Sequence, residues 1–386
     1  MGKKNLNYLF LYMAAFGAIG SFMPLLGQYL KCIGFSGTQI GSVTAAGTAT
    51  AIAASPFWGK LYTKSSNKKG LILKLALLAV AACALLQFVH SYILFLLMLC
   101  VLFFFQAPII AFVDTMAIED GREFGAERKW GAVGFAGGVF LAGRISEMAG
   151  LHVIFSLYIC CFMLFAAKVF IVSVKNRGVD LPDAPATEKK PKTSIFKNKK
   201  YLTLVVCVFF IGGTTMASNT YFSFLFLSGG GSISGVGLAF LLMALSEAPF
   251  MAFMEKIIKV LTLEKTLLIA MCILAARYAW YASGPDAAIL TGTFALQGMS
   301  VGIIIVGFVK YIAKVVPPSE LGFFISIYYA FGSSMSTILC QMTGGVILDH
   351  FGAGMIYAFF AGMNVIGITV YLAAKLHKER RPSDEI

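Results

Sequence analysis

The chain has 386 residues, of which 59% are hydrophobic and only 13% are charged, and its mean hydropathy is +0.83. Soluble domains carry about 25% charged residues, so this composition excludes an ordinary soluble protein and predicts an integral membrane protein. The net charge of +13 comes from 31 Lys and Arg against 18 Asp and Glu. Because the basic residues concentrate between apolar runs, the charge indicates membrane topology and gives no reason to expect nucleic-acid binding.

Apolar runs recur along almost the whole chain. A helix needs about 20 apolar residues to cross roughly 30 Å of hydrocarbon. The first run follows Lys3 and Lys4, but it is too long for a signal peptide and lacks a cleavage site, so we expect a retained helix. We predict twelve transmembrane helices, at residues 7–30, 38–60, 71–89, 92–118, 126–148, 152–174, 201–227, 233–255, 265–283, 286–313, 321–348 and 352–375.

The positive charges orient these helices. In this topology nearly all lysines and arginines fall on or just inside one side of the membrane, and only Lys31, Arg144 and Arg277 lie elsewhere. Lys and Arg accumulate on the cytoplasmic side of membrane proteins. We therefore predict a multi-pass protein of the cell membrane with both termini in the cytoplasm.

A polar, basic segment divides the chain. We predict an N-terminal six-helix bundle at 1–175, a cytoplasmic linker at 176–200, and a C-terminal six-helix bundle with a cytoplasmic tail at 201–386. The halves repeat at an offset of 193 residues, which relates Pro56 to Pro249 and Glu127 to Glu320. The predicted fold is an all-α membrane protein of two pseudo-symmetric six-helix bundles.

Two parallel six-helix repeats joined by a cytoplasmic loop resemble the major facilitator superfamily, whose halves move about a site near the middle of the membrane. The loop GKLYTKSSNKK after the second run is similar to the loop signature of that superfamily. Here Thr63 stands in place of the family's aspartate, and Ser66 in place of its second glycine. This departure puts in question any gate that the aspartate forms in relatives.

Only two carboxylates, Asp114 and Glu247, lie well inside apolar runs. An ionised acid at the centre of a bilayer costs at least about 2.5 kcal/mol, so such residues usually face a cavity or a partner and are functional candidates. We predict that Glu247 couples transport to protons and contacts the substrate. The alternative is a protonated side chain that serves packing alone. Asp114 lies nearer the cytoplasmic end of its run and is predicted to act in gating or as a loop anchor.

Two arginines are the basic candidates. Arg277, in LAARYAWYA, is the expected counterpart of Glu247, or else it extends towards the outer membrane surface. Arg128, in GAERKWGAVGFAGG, shares a helix face with Phe135. It enters the membrane if the helix begins near Gly121, and it is interfacial if the helix begins at Trp130, so its role stays open.

The fifth run also carries a glycine face. Gly131, Gly134 and Gly138 are spaced i, i+3 and i+7, which predicts close approach of another helix. Near the outer end of the run, Arg144 and Glu147 are three residues apart and predict a local ion pair.

Polar side chains are sparse elsewhere in the apolar runs. TTMASNTYF carries Asn219, and ALQGMS carries Gln297 and Ser300. A buried amide must find hydrogen-bond partners, which either a substrate or a neighbouring helix can supply. Both sources stay open for Asn219 and Gln297.

The sequence GAERKWGAVGF is similar to the start of the fifth helix in the group formed by the lactose permease and the phenylpropionate and nucleoside proton symporters. VGFVKYI in the tenth run is similar to the lactose permease too. The resemblance implies that Arg128, Glu247 and Arg277 line the substrate site. It also implies that Asn219 and Phe135 occupy the places of a substrate-binding asparagine and an aromatic residue of the nucleoside symporter.

Departures from this group limit the substrate. The galactoside-binding acid of the fourth helix corresponds to Ile110, and the sugar-stacking tryptophan corresponds to Phe135. The histidine and glutamate of the tenth helix correspond to Gln297 and Ser300. These differences argue against lactose itself.

We therefore predict a proton-coupled symporter that imports a small organic solute, such as an aromatic acid, a nucleoside or an oligosaccharide, by alternating access. Its expected partners are the solute, the proton and the lipid bilayer, with no cofactor, no metal and no second subunit. The alternative is a proton-coupled efflux antiporter of small amphipathic compounds. An enzyme is not expected, because catalytic groups must cluster and no histidine, aspartate pair or metal-ligand spacing lies at mid-membrane.

Overall fold

A computed structural model describes residues 5–120, 124–175, 198–317 and 320–376, and in these ranges every regular element is a helix. The elements of the first half are α1 Asn5–Cys32, α2 Gly37–Lys64, α3 Lys68–Leu86, α4 Tyr92–Glu119, α5 Phe124–Ala149 and α6 Val153–Lys175. Short polar caps begin several of them. Ser36 and Gln39 form a reciprocal capping box at the start of α2, with hydrogen bonds of 3.0 and 3.1 Å.

The second half repeats this plan with additional breaks. Its elements are α7 Lys199–Ser228, α8 Ile233–Ala252, α9 Met254–Leu261, α10 Leu263–Tyr281, α11 Ala287–Val315, α12 Leu321–Ile327, a π-helical segment Tyr328–Met335, and α13 Ser336–Ala373. Gly352, with φ of 80°, interrupts α13 and separates the eleventh span from the twelfth. Only a residue that tolerates positive φ fits this break.

Eight of the described stretches are long and apolar enough to cross a membrane. Gly352 divides one of these, residues 321–373, into two spans. The less apolar helices α2, α5 and α10 complete a set of twelve. The outer surface is apolar as well: Met148 is 88% exposed and Phe88 73% exposed. This is the surface expected of a multi-pass membrane protein, so the predicted twelve-helix fold is confirmed.

The helix bounds agree with the predicted runs to within about four residues. The eighth run was predicted to continue to residue 255, whereas α8 ends at Ala252 and a separate helix that was not predicted, α9, follows. Thr262, with φ of 65°, then turns the chain into α10. Apolar residues continue through α9, so hydropathy alone did not mark the break.

The chain forms two compact units, each described by itself. Unit 1 contains the described residues of 1–189 together with Ser232–Leu241, and unit 2 contains those of 190–231 and from Leu242 on. The first half of α8 thus belongs to unit 1 and its second half to unit 2. The predicted boundaries at 175 and 201 stay a prediction, and residues 176–197 of the predicted linker lie outside the described residues.

Within unit 1, glycines bring α1 and α5 into backbone contact. A side chain at Gly134 would collide with the backbone of Met13, and one at Gly138 would collide with the backbone of Gly17. Gly131 faces the ring of Phe16 in the same interface. The predicted glycine face of α5 is therefore confirmed, and α1 is the helix that it contacts.

Within unit 2, the π-helical segment packs on α7. Gly332 lies against Val208, and Ser336, one residue past the segment, donates a hydrogen bond to the carbonyl oxygen of Phe209. A π-helical turn contains more residues than an α-helical turn and often occurs at functional sites.

Each half has an ion pair between its third and fourth spans, and the acidic and basic positions are exchanged between the halves. In unit 1, Lys68 at the start of α3 pairs with Glu119 at the end of α4 at 2.8 Å. In unit 2, Glu264 at the start of α10 pairs with Lys314 near the end of α11, also at 2.8 Å. Helices α3 and α10 are the third spans of their halves, and α4 and α11 are the fourth. This correspondence supports the duplicated six-helix unit.

Candidate functional site

Arg277 is the central buried cation of unit 2. It lies in α10, and only 3% of it is exposed. Its Nη2 donates a hydrogen bond to Oε1 of Gln297 on α11, whereas its Nε and Nη1 are buried without a hydrogen-bond partner in the described ranges. Among the residues that the structure describes, no carboxylate forms an ion pair with it. The guanidinium of Arg277 is thus enclosed by protein.

Aromatic rings surround this guanidinium. Its Cζ lies 4.8 Å from the ring centre of Tyr278, 4.7 Å from that of Tyr281 and 5.8 Å from that of Phe294. The two tyrosines follow Arg277 by one and four residues, so α10 places them beside it. Cation–π attraction stabilises a buried guanidinium by about 2 kcal/mol. The rings thus partly replace the missing carboxylate.

Gln297 connects Arg277 to α7. It is fully buried, and its Nε2 donates to Oδ1 of Asn219 at 3.1 Å. Its Oε1 also accepts a hydrogen bond from Ser218 at 3.4 Å. A neighbouring helix therefore supplies partners to both predicted amides, which joins three of the predicted site residues in one network. Nearby on α11, the fully buried Oγ of Ser300 has no hydrogen-bond partner in the part of the chain that the structure describes.

Glu247 lies on the half of α8 that belongs to unit 2. Small residues of α11 bring the two helices together there: the carbonyl oxygen of Glu247 would be 2.9 Å from a Cβ at Gly302. One residue earlier, Ser246 donates a 2.7 Å hydrogen bond to the carbonyl oxygen of Ala295. Within the described part of the chain, the half-buried carboxyl of Glu247 has no hydrogen bond and no ion pair. The expected ion pair with Arg277 is not formed.

Asp114 and Arg128 form an ion pair in unit 1. Tyr12 on α1 also donates a 2.7 Å hydrogen bond to Oδ1 of Asp114, and the Phe16 ring centre lies 5.8 Å from Cζ of Arg128. Because α5 includes residue 124 onwards, Arg128 is inside the helix, and a helix start at Trp130 is excluded. The cluster connects α1, α4 and α5. The carboxylate side chain is 17% exposed and the arginine side chain 42%.

Phe135 and Glu147 also lie on α5, and both contact the first half of α8, which belongs to the same unit. The ring of Phe135 packs edge to face against that of Phe240, with ring centres 6.3 Å apart. Glu147 was predicted to pair with Arg144, but no such ion pair exists among the described residues. Instead its Oε2 accepts hydrogen bonds from the backbone N of Ser234 at 2.9 Å and from Oγ of Ser232 at 3.2 Å. It therefore caps the start of α8, which supplies unpaired backbone N–H groups.

Sequence reasoning missed the rings around Arg277 and the partner of Arg128. The rings had a local signal, since RYAWY places two tyrosines on the arginine's own helix. No local sequence signal predicted that Phe294 lies beside Arg277, because this contact requires α10 and α11 to be neighbours. The Asp114–Arg128 pair had a weak signal in the proximity of both residues to the same membrane boundary.

Twelve apolar helices in two repeated sets, with a few buried polar and charged side chains in each unit, define a membrane transporter and not an enzyme. The comparison with known families gives the same class. The model of the MFS_1 like family matches residues 5–359. The chain belongs to this family of the major facilitator superfamily and transports small solutes.

Two curated relatives and one uncharacterised protein are similar over most of their length. The chain is 30% identical to the maltose permease of Geobacillus stearothermophilus, over 99% of this chain and 97% of that protein. It is 29% identical to the uncharacterised transporter YwbF of Bacillus subtilis (strain 168), over 94% and 91%. It is 23% identical to the sucrose permease of Escherichia coli, over 86% and 83%.

Solved structures share the fold. An aspartate-to-alanine mutant of the nucleoside transporter NupG superposes with a TM-score of 0.83 at 16% identity, covering 96% of this chain and 99% of that one. A transporter of the POT family, in complex with a thioalcohol-conjugated peptide, gives a TM-score of 0.75 at 10% identity, covering 97% and 96%. At these identities the likeness concerns the fold.

Proposed function

We propose that the protein is a proton-coupled symporter that imports a small oligosaccharide by alternating access. The observation that carries the proposal is the buried guanidinium of Arg277, which has two N–H-bearing nitrogens without partners. Full-length similarity to a maltose permease and a sucrose permease supports the choice of solute. The resemblance of the fifth helix to that of proton symporters supports import as the direction of transport.

The chemistry around Arg277 suits a sugar. A buried N–H without a partner is unfavourable by about 1–3 kcal/mol, and a ligand hydroxyl that accepts from it removes this penalty. Asn219 and Gln297 add amide groups, and the buried rings of Tyr281 and Phe294 form apolar walls beside the guanidinium. Binding sites of small molecules combine such apolar walls with a few fixed polar groups. A pyranose presents both hydroxyl edges and apolar C–H faces.

The two predicted site arginines favoured an anionic substrate, but their contacts in the structure give this class less support. Of the two predicted arginines, Arg128 is already paired with Asp114. Only Arg277 has no ion pair among the described residues, and the rings of Tyr278 and Tyr281 contact it. An aromatic acid therefore ranks below a neutral oligosaccharide. We propose Arg128, Phe135, Asn219, Glu247, Arg277 and Gln297 as the substrate-binding residues.

Glu247 is the proposed proton carrier. Its half-buried carboxyl has no partner in the described residues, and a charged carboxylate at this depth is unfavourable by about 2.5 kcal/mol or more. The neutral, protonated form is thus favoured while the side chain is shielded from water. Access to cytoplasmic water favours release of the proton. Asp114, paired with Arg128, is proposed to act in gating. The protein is further proposed to act as a monomer in the cell membrane, and its charge distribution supports cytoplasmic termini.

The test is uptake into proteoliposomes that contain the purified full-length protein. Radiolabelled maltose, sucrose, a nucleoside and an aromatic acid are each supplied with and without an inwardly directed proton gradient. We expect gradient-dependent uptake of a disaccharide. Export of the solute from preloaded, oriented vesicles in exchange for protons would instead establish an antiporter.

The variant Glu247→Gln tests the proton carrier. Glutamine mimics the protonated acid, so this variant should still exchange labelled for unlabelled substrate across the membrane but should lose accumulation driven by the gradient. Accumulation that still follows an imposed pH gradient in Glu247→Gln would remove Glu247 from the coupling role.

A further inference from the structure

Helix α9 is an amphipathic helix of eight residues between α8 and α10. Its apolar side is anchored in unit 2, because Met254 is 1% exposed and its Cε would lie 3.1 Å from a Cβ at Gly307 of α11. Glu255 accepts a hydrogen bond from Lys310, also on α11. These two contacts orient α9 about its axis.

The opposite side of α9 combines apolar and basic side chains. Phe253, Lys256 and Val260 are spaced i, i+3 and i+7, and Lys259 lies beside them. Val260 is 81% exposed and Phe253 is 52% exposed. Both lysines are exposed and form no ion pair with described residues. We define Phe253, Lys256, Lys259 and Val260 as the α9 face.

Glu255 offsets the charge of the α9 face only in part. The ammonium of Lys310 hydrogen-bonds to it and, with the nearby charge of Lys259, holds the pKa of its carboxyl below its usual range, so the hydrogen-bonded partner of this acid lies outside the face. The ammonium of Lys256 lies 5.2 Å from the ring centre of Phe253. The face therefore presents two ammonium groups, neither in an ion pair with a described residue, directly beside exposed apolar groups.

The position of α9 determines what this face meets. It begins two residues after α8, a helix long and apolar enough to cross the membrane, so it lies where that span leaves the bilayer. Amphipathic helices with lysines beside apolar residues bind at the headgroup level of membranes. A soluble partner would not require apolar groups directly at the end of a span.

We propose that the α9 face is a binding site for an anionic phospholipid, in which Lys256 and Lys259 contact the headgroup phosphate and Phe253 and Val260 contact the upper acyl chain. The site is independent of the transported solute and of the proton. A basic residue near a membrane surface contributes roughly a fivefold preference for anionic lipid. Two lysines on one face thus distinguish phosphatidylglycerol from phosphatidylcholine.

Fluorescence quenching in vesicles tests the proposal with the full-length protein. The variant Val260→Trp places a reporter on the face, and the parent protein, with its three tryptophans, gives the background to subtract. Vesicles of one composition are prepared with bromine on either the phosphatidylglycerol or the phosphatidylcholine. We expect several-fold more effective quenching of the reporter by brominated phosphatidylglycerol, and a smaller difference at high salt.

Charge variants test whether the two lysines cause the preference for anionic lipid. In the Val260→Trp background, Lys256→Gln with Lys259→Gln should abolish the preference, and Lys256→Arg with Lys259→Arg should keep it. Lys60→Gln with Lys64→Gln is the matched control, since these lysines are also exposed and lie one turn apart at the end of α2. The control should leave the preference unchanged.

Four results would overturn the proposal. Equal quenching by the two brominated lipids would show that the face does not select anionic lipid, and no quenching by either would show that α9 is away from the bilayer. Loss of the preference in the Lys60→Gln, Lys64→Gln control would show a general charge effect. Displacement by soluble glycerol phosphate would assign the face to a free phosphate compound instead of a lipid.

Discussion

Arg277 donates a hydrogen bond to Gln297, and the two side chains, on α10 and α11, are both buried. Gln297 is thus the only hydrogen-bond acceptor that the described residues offer to a guanidinium with two further unpaired nitrogens. An amide oxygen and aromatic rings thus stabilise the buried guanidinium of Arg277 in place of a carboxylate. This arrangement leaves hydrogen-bonding capacity for a ligand.

Substitution of Gln297 should show how much its hydrogen bond to Arg277 contributes to stability. Gln297→Leu removes the acceptor and leaves the whole guanidinium unpaired, so we expect a loss of stability of about 1–3 kcal/mol and a lower Tm in detergent. Gln297→Glu keeps an oxygen at the same place and adds an ion pair, but it loses the hydrogen bond that Nε2 donates to Asn219, so its Tm should lie above that of Gln297→Leu. Equal Tm values for the two variants would contradict the importance of the contact.

The Asp114–Arg128 pair should matter for transport more than for stability. Because the side chain of Arg128 is 42% exposed, the pair should contribute only about 0–1 kcal/mol to folding. We expect Asp114→Asn to slow uptake at least several-fold with a Tm close to that of the parent. The exchanged variant Asp114→Arg with Arg128→Asp should recover part of the rate. An unchanged uptake rate in Asp114→Asn would exclude the gating role.

The glycines of α5 allow a matched pair of stability variants. Gly134→Ala places a methyl group onto the backbone of Met13, whereas a Cβ at Gly137 meets nothing within 4 Å. The first change should destabilise the protein by about 1–3 kcal/mol through overpacking. Gly137→Ala should be neutral or stabilising by up to about 1 kcal/mol, because alanine favours helix. Thermal unfolding in detergent measures both, and a reversed order would contradict the α1–α5 contact.

The reversed ion pairs of the two halves should differ in strength. In the pair of unit 1, both side chains are about one-third exposed, so Lys68→Met should cost about 0–1 kcal/mol. In the pair of unit 2, the Glu264 side chain is 4% exposed and that of Lys314 is 50% exposed. Lys314→Met leaves the buried carboxylate unpaired and should destabilise by on the order of 2–3 kcal/mol, less than for a fully buried pair. The two Tm shifts measure the difference.

Glu147 should stabilise the first turn of α8. Loss of an N-terminal cap costs about 0.5–2 kcal/mol, and the contact with the Ser234 backbone is of this kind. We expect Glu147→Ala to accelerate hydrogen exchange of the amides at 233–236, while Glu147→Gln, which keeps a carbonyl oxygen, should have a smaller effect. Exchange that is equally fast in both variants would assign the effect to charge, and unchanged exchange in both would exclude the cap.

Much of the fold could be predicted from the sequence, and the site only in part. The twelve predicted spans match the helices to within about four residues, because each needs only a local run of apolar residues long enough to cross the bilayer. The separate helix α9 was not predicted, since its sequence MEKIIKVL continues the apolar pattern past the break after Ala252. Periodicity within one run also identified the glycine face of α5, but not the helix that it contacts.

The sequence by itself thus determined the membrane class, the helix positions, the repeat and the short set of polar side chains inside the apolar runs. Only the tertiary structure decided how those side chains are partnered: Asp114 with Arg128, Arg277 with Gln297, and Glu247 with no described residue. It also divided α8 between the two units. The reason is physical. Hydropathy and periodicity act within one helix, whereas partners are set by which helices are neighbours and by their rotation about their axes.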